Sequence, residues 1–232
     1  MTMSERHFEF TDETINIGTR VLHRIRALRD IPEHGVEKGD LGGFVVSYDN
    51  LSDNAWVYGN AKVFGPAKVS GDAIVSGDAR VFGKSEVFGN AEVSENAWVF
   101  GNAKVSGNAK VSGDAILFGN AEVFGDAEVS ENAEVFGYAR VCECAAVYGN
   151  AHISGDAVVK SDADYIVFKN CWSSGRYFTW TRSNDMWKVG CFYGTGKELI
   201  KKAYKDSKES GRQYECAVKS VNEMNKLLKE GE

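Results

Sequence analysis

A six-residue period organises half of this chain. An aliphatic residue recurs at every sixth position from Val57 to Val159, with no insertion or deletion. Four places after each of them stands a small residue, which is alanine everywhere except at Ser85. The unit is therefore V-x-G-[N/D]-A-x. Self-similarity at a fixed short period predicts a solenoid.

The residue that follows each aliphatic position indicates how many hexapeptides close one coil. Phenylalanine occupies this place at intervals of eighteen residues, and serine recurs at the same interval in a second column, as at Ser76 and Ser94. Residues aligned on successive coils share one environment, so three hexapeptides make a coil with three flat sides. The phenylalanine column comprises Phe64, Phe82, Phe100, Phe118 and Phe136.

Alternation of side chains decides which columns are inside. An aliphatic residue and its successor point in opposite directions on a strand, and a narrow coil has room for only the valine and alanine rows. We therefore expect the phenylalanine column outside. Gly at the third place and Asn or Asp at the fourth predict the corners, since Gly adopts positive φ freely and Asn and Asp tolerate it. Glu95, Glu131 and Glu143 replace this Gly, which indicates a corner without one strict backbone requirement.

Residues 51–163 resemble the hexapeptide-repeat, left-handed parallel β-helix proteins. The resemblance supplies the left-handed winding, because parallel crossovers are otherwise right-handed almost without exception. It also implies a homotrimer. Residues 22–30 and 39–44, which include the string GDLGGF, resemble the opening of hexapeptide-repeat proteins carried by bacteriophages and prophages.

The predicted fold is mainly β and has three parts. Residues 1–44 form an N-terminal β-hairpin cap, residues 45–163 the three-sided parallel β-helix, and residues 164–232 a small α+β domain. The cap covers an open rod end that would otherwise invite stacking. In the α+β domain, alternation predicts three strands. Two helices follow, with capping boxes that pair Thr195 with Glu198 and Ser210 with Gln213.

Composition limits the location and the partners. The 232 residues are 43% hydrophobic, yet no apolar run approaches eighteen residues and no basic-then-apolar leader stands at the N-terminus. We expect a cytoplasmic protein with no membrane partner, in the host cytoplasm if it is phage-encoded. The repeat carries eight Lys and Arg against about twice as many Asp and Glu. Lys and Arg supply most of the affinity for nucleic acid, so the acidic rod disfavours that partner.

Cysteine and histidine patterns predict neither a metal site nor a cofactor. Five cysteines at irregular spacing indicate reduced thiols, and the pair Cys142 and Cys144 lacks the second pair of a structural zinc site. The resemblance implies that an acyltransferase would use a histidine base beside a loop thrown out from a coil. This rod has no insertion, and its one histidine, His152, occupies an outward position. We expect His152 to be ordinary surface.

The phenylalanine column would leave a large apolar patch exposed on a lone monomer. Burial of each ring stabilises by about 1.5–3 kcal/mol, which would strongly favour association. We therefore predict that Phe64, Phe82, Phe100, Phe118 and Phe136 form an interface between subunits. The alternative is that the C-terminal helices of the same chain cover them.

Aromatic and basic residues are concentrated in the C-terminal segment. Alternation places Arg176, Trp180 and Arg182 on one strand face, beside a strand that carries Trp187 and Lys188. We predict that these five residues form a ligand site that stacks a ring or base and neutralises a phosphate. The alternative is that they are the core and rim of a small sheet.

These features together predict a non-enzymatic, homo-oligomeric binding protein. The phage resemblance implies a counter-defence role, by sequestering a nucleotide-like signal or by binding a host protein. A hexapeptide-repeat acyltransferase and a structural polymer are the alternatives.

Overall fold

The computed structural model describes residues 6–230, so the first five residues of the predicted cap and the last two of the C-terminal domain lie outside it. The chain forms a rod with three flat sides, each side a parallel sheet of two-residue strands. Each strand pairs with the strand eighteen residues further on, as Val63 does with Val81. Three hexapeptides per coil and the three-sided parallel β-helix are thus confirmed.

The two-residue strands of the rod are numbered β4 to β21 in chain order. We name each side of the rod after the residue type that follows its strands. The phenylalanine face carries Lys62–Val63, Arg80–Val81, Trp98–Val99, Ile116–Leu117, Glu134–Val135 and His152–Ile153. The serine face carries Trp56–Val57, Ile74–Val75, Glu92–Val93, Lys110–Val111, Glu128–Val129 and Ala146–Val147. The mixed face carries Lys68–Val69, Glu86–Val87, Lys104–Val105, Glu122–Val123, Arg140–Val141 and Val158–Val159.

The interior contains the valine and alanine rows, as predicted. The aliphatic residues are at most 1% exposed, and Ser85, the exception in the alanine row, is fully buried. Its hydroxyl donates to the carbonyl oxygen of Phe82 at 2.9 Å, which satisfies the buried oxygen. Val45 and Leu51 continue the six-residue spacing toward the N-terminus and are buried in the same core, within the range of 45–163 predicted for the rod.

The corners differ from the expectation. In the described chain, the repeat has positive φ at the third place of the hexapeptide and at no Asn or Asp of the fourth place. Glu95 and Glu131 both have φ of 58°, in the left-handed region that Gly101 occupies at 75°. The corner therefore does impose one backbone conformation. Glu95 offsets the strain in part, because its Oε2 accepts a hydrogen bond from the Gly113 N–H at 2.8 Å.

Asn and Asp at the fourth place form ladders along the rod instead. Asn90 Nδ2 donates to Asn108 Oδ1 at 3.0 Å, and Asn108 Nδ2 donates to Asp126 Oδ1 at 2.8 Å. Each bond requires a donor amide beside an acceptor one coil away, so Asn can supply either partner and Asp only the acceptor.

The N-terminal cap extends the phenylalanine face. Strands β1 (Phe8–Ile17) and β2 (Arg20–Ala27) form an antiparallel hairpin, and β3 (Leu41–Val45) joins it to the rod by pairing in parallel with Lys62–Val63. Short 3₁₀ helices occupy Pro32–His34 and Tyr48–Asn50.

The C-terminal domain has one strand more than predicted. Its antiparallel sheet contains β22 (Tyr165–Lys169), β23 (Tyr177–Thr181), β24 (Met186–Val189) and β25 (Phe192–Thr195), in chain order. Helix α1 (Gly196–Asp206) has the predicted capping box at Thr195 and Glu198. Helix α2 (Lys208–Glu230) begins before Ser210, whose N–H donates to the Ser207 hydroxyl, so the predicted second capping box was wrong.

Side chains of the C-terminal domain cover the last coil of the rod. Backbone N–H groups of this coil would otherwise point toward a further coil that does not exist. A 3₁₀ helix at Asp162–Asp164, which leaves Ala163 exposed, makes the transition from the rod. The N–H donors that find side-chain acceptors include Ala146 N to Asp162 Oδ1 at 2.9 Å, Tyr148 N to Tyr165 Oη at 3.4 Å, His152 N to Thr179 Oγ1 at 3.0 Å, Val158 N to Ser183 Oγ at 2.7 Å and Lys160 N to Asp164 Oδ2 at 2.8 Å.

Candidate interaction surfaces

The phenylalanine column lies on the outside of the rod as a stack of parallel rings. Successive ring centroids are 4.8–5.4 Å apart and the ring planes differ by 2–6°. The spacing is that of parallel strands, because each ring stands one coil above the last. Each ring thus covers the faces of its neighbours and presents its edge outward.

Both ends of this column are covered by other parts of the chain. Phe64 is only 6% exposed because it packs with Leu22 and Phe44 of the cap. At the other end, Lys188 Nζ lies 5.5 Å from the ring centroid of Phe136, a cation–π contact. The part-exposed rings left in the middle are Phe82, Phe100 and Phe118.

Beside the rings, the outward residues of the strands change character along the rod. Arg80, near the cap, places its guanidinium carbon 4.9 Å from the ring centroid of Trp98. Trp98 is 38% exposed and lines a groove of about 250 Å³ together with Ile116, Asn96 and Asp114. The phenylalanine face is therefore basic toward the cap and apolar in the middle.

The far end of the phenylalanine face carries a histidine–carboxylate pair. His152 Nδ1 lies 3.0 Å from Glu134 Oε2, and both side chains are about one-third exposed. A carboxylate that orients an imidazole is a feature of general-base sites. Here it lies on an open strand face, and the coil has no insertion that would enclose a substrate.

The structure separates the five residues of the predicted ligand site. Trp180 and Trp187 are directly opposite each other in the sheet and are 1% and 0% exposed. They pack beneath the helices with Phe178, Leu199 and other apolar residues of the domain core. Their ring faces are therefore not accessible to a ligand in this conformation.

The three basic residues of that prediction also point to different places. Lys188 follows Trp187 in the strand, so it projects to the opposite side of the sheet and meets Phe136. Arg182 Nε donates to Asn225 Oδ1 of helix α2 at 3.2 Å. Arg176 is exposed, and its side chain approaches Gly190 at a hairpin turn. The five side chains do not form one open surface.

Sequence reasoning missed an apolar groove between strand β22 and helix α2. The groove has a volume of about 370 Å³. Its rim includes Trp172, 75% exposed, and Met224, 46% exposed. The sequence does show apolar residues on α2 next to those that face the sheet. Whether these additional residues are exposed depends on the rotation of the helix about its axis, which the sequence does not give. The remaining lining residues are Ile166, Phe168, Asn170, Gln213, Cys216, Ala217, Ser220 and Val221.

Burial perturbs titratable groups at the two capped ends of the rod. At the cap, burial lowers the pKa of His7, whose Nε2 donates to the carbonyl oxygen of Ala55 at 3.0 Å. At the C-terminal end, burial raises the pKa of Tyr165 to about 12, and its hydroxyl donates to the carbonyl oxygen of Ala146 at 3.0 Å. Both groups are neutral at pH 7 and serve the caps structurally.

In residues 6–230, no group of three or more His, Cys, Asp or Glu side chains is placed to hold a metal ion. Over the same range, no helix combines the length and apolar character needed to cross a membrane. The cysteines are all free thiols, and Cys142 is buried.

No protein-family model matches this chain, and no curated protein matches it either. The left-handed winding, the threefold assembly and the phage origin therefore rest on the sequence resemblance alone.

Proposed function

We propose that this protein is a non-enzymatic binding protein that self-associates through the phenylalanine face and recognises its partner with the C-terminal domain. The observation that carries the proposal is the column of stacked rings on the outside of the rod, with Phe82, Phe100 and Phe118 still part-exposed. Stacking buries the ring faces within one copy but leaves the outward edges in water, whereas a second surface that covers those edges gains further free energy of apolar burial.

The covered rod ends favour a discrete oligomer over a structural polymer. Solenoids polymerise when unpaired backbone at one end meets unpaired backbone at the other. Here β3 pairs with the first rod strand of the phenylalanine face, and side chains such as Thr179 and Ser183 accept N–H groups of the last coil. Association through the side of the rod is the route that these contacts leave open.

Recognition of a host protein is the version of this function that the C-terminal domain supports best. The groove between β22 and α2 is apolar, and exposed Trp172 stands at its rim. Exposed aromatic and methionine side chains around a concave apolar surface are common at protein interfaces. The two rings predicted to stack a nucleotide-like signal, Trp180 and Trp187, are buried, which weakens the support for that version. The phage origin and the counter-defence role belong to this proposal through the resemblance.

The self-association is tested by Phe100→Ser, with Phe88→Ser as the matched control. Phe88 occupies the same place in the hexapeptide but lies on the mixed face, where it is 39% exposed. Only the outward edge of Phe100 remains to be buried, so loss of the ring removes about half of the roughly 1.5–3 kcal/mol of full burial from each copy and weakens a two-copy contact by about one to two decades in dissociation constant. Light scattering should show a lower mass for Phe100→Ser alone. Equal masses for both variants and the unchanged protein would refute the proposal.

Acyl transfer is the second candidate, because the contact between His152 and Glu134 is a specific observation in its favour. The test is hydrolysis or transfer of acetyl groups from acetyl-CoA to small amine and alcohol acceptors. Turnover that disappears in His152→Ala, while the variant keeps its oligomeric mass, would establish the enzyme and displace the binding proposal. We expect no turnover above the buffer rate.

A further inference from the structure

The phenylalanine face has a charge pattern that restricts how two copies can meet. Along its strands the outward residues read Lys62, Arg80, Trp98, Ile116, Glu134 and His152 from the cap to the C-terminal domain. The cationic positions are thus near one end, an acidic position is near the other, and the two between them are apolar. A surface of this kind complements itself when one copy is reversed.

Symmetry specifies which residues would meet. Consider two rods pressed face to face and related by a twofold axis that runs along the strands through the middle of the face. The rotation reverses the direction along the rod but keeps each column opposite its own counterpart, as an isologous contact requires. Phe100 then faces Phe118 of the second copy, Trp98 faces Ile116, and Arg80 faces Glu134.

We propose that the phenylalanine face binds a second copy of this chain in antiparallel orientation, with Arg80 of each copy paired to Glu134 of the other. This inference rests on the self-association proposed above and specifies its geometry. Both charged side chains reach the surface: Glu134 is 35% exposed and contacts His152 through Oε2, and Arg80 is part-exposed. A guanidinium that stacks on an indole, as Arg80 does on Trp98, still offers its N–H donors in the ring plane.

The centre of the face fits the same arrangement. The groove of about 250 Å³ lined by Trp98 and Ile116 lies on the level where the twofold axis passes. Trp98 of each copy therefore packs against Ile116 of the other. The outermost position adds no cross-rod ion pair, because the rotation places Lys62 opposite His152 and Lys62 lies 3.7 Å from Asp78 of its own chain.

A parallel arrangement of rods, including the trimer that the resemblance implies, does not pair these charges. Arg80 and Glu134 lie three coils apart along the rod, on the order of 14 Å at the spacing of adjacent strands. In parallel rods each residue meets residues at its own level, so Arg80 stays far from Glu134 of a neighbour. Charge reversal therefore distinguishes the two geometries.

The experiment uses the full chain with Arg80→Glu, Glu134→Arg and an equimolar mixture of the two. Each variant alone places like charges at both cross-rod contacts, which should weaken self-association by roughly tenfold or more. In the mixture, every cross-rod contact joins a carboxylate to a guanidinium, so sedimentation should show the two-copy mass restored as a hetero-pair. The mixture contains the same two folded proteins, so its recovery cannot be attributed to folding.

Lys104→Glu is the control for a general charge effect, because Lys104 lies on the mixed face and should leave association unchanged. A three-copy mass for the unchanged protein, association indifferent to either reversal, or a mixture that stays dissociated would overturn the antiparallel pairing. These results differ from failure of the proposed function, in which the unchanged protein sediments as a monomer at every concentration.

Discussion

The corner residue Glu95 offers a test in which the usual ranking of alanine over glycine should invert. Glu95 has φ of 58°, a conformation that costs an L-residue roughly 1–2 kcal/mol relative to the right-handed region. The bond from the Gly113 N–H to its Oε2, at an exposed corner, offsets this by about 0.5–1.5 kcal/mol. The substitution Glu95→Ala keeps the strain and loses the bond, so it should destabilise the fold by that same amount.

The substitution Glu95→Gly loses the bond but also removes the strain. Glycine gives the unfolded chain more freedom, which costs about 0.4–1 kcal/mol and reduces the benefit. The relieved strain exceeds this cost at the midpoints of both ranges, so Glu95→Gly should have a free energy of unfolding roughly 0.8 kcal/mol higher than Glu95→Ala. At an ordinary strand position the order should be the reverse, by about 0.5–1 kcal/mol, because glycine is the poorer strand residue.

Glu92 supplies that ordinary position, because it is exposed on a strand of the serine face only three residues away. Urea unfolding of the four variants, followed by circular dichroism at one protein concentration, measures both differences under equal association. The reasoning fails if Glu95→Ala is as stable as Glu95→Gly, or if the Glu92 pair shows the same order as the Glu95 pair.

Three further predictions concern the coils and their ends. Gly83→Ala should lower the free energy of unfolding in urea titrations by about 1–3 kcal/mol more than Gly149→Ala does. Both glycines have positive φ, so the backbone strain is shared, but only at Gly83 would a Cβ lie 2.8 Å from the backbone of the next coil. Burial lowers the pKa of His7 below its ordinary 6.5, so the stability that neutral His7 contributes is complete above pH 6.5 and is lost as the pH falls. Between pH 7.5 and 5, His7→Gln should therefore lose less free energy of unfolding than the unchanged protein. An equal loss would contradict this. The pKa of Tyr165 is about 12, so the stability that its neutral hydroxyl contributes is lost as the pH rises through 10 to 12. Tyr165→Phe should lower the free energy of unfolding by about 1–2 kcal/mol at pH 7 in calorimetry, because the hydrogen bond to Ala146 is lost, and should reduce the loss of stability above pH 10. Unchanged stability would show that Tyr165 does not stabilise the last coil.

The rod was predictable because its period repeats one environment many times. The six-residue spacing from Val57 to Val159 predicted the core rows, and the eighteen-residue recurrence of phenylalanine predicted the coil length and the outward position of Phe100, without any tertiary information. The ladders of Asn90 and Asn108 were not anticipated, because we attributed these residues to backbone conformation rather than to neighbours eighteen residues away. A periodic sequence contains that information, but only after the coil length is known.

The C-terminal domain was harder to predict because it has no repeat. Alternation correctly placed Trp180 and Arg182 on the same side of one strand, yet it could not show that this side lies beneath the helices. Lys188 was grouped with them although it projects to the opposite side, since one residue of register reverses the direction of a strand side chain. The extra strand Phe192–Thr195 is short and contains Gly194, which weakened its signal.

Because the cap contacts the first coils and the C-terminal domain contacts the last, the coils between them behave as interchangeable modules. Adding or removing eighteen residues in the middle changes the distance between the two ends by one increment of about 4.8 Å and disturbs neither terminus. The number of coils therefore sets the distance between the cap and the C-terminal domain, and that distance changes by one coil spacing for each eighteen residues added or removed.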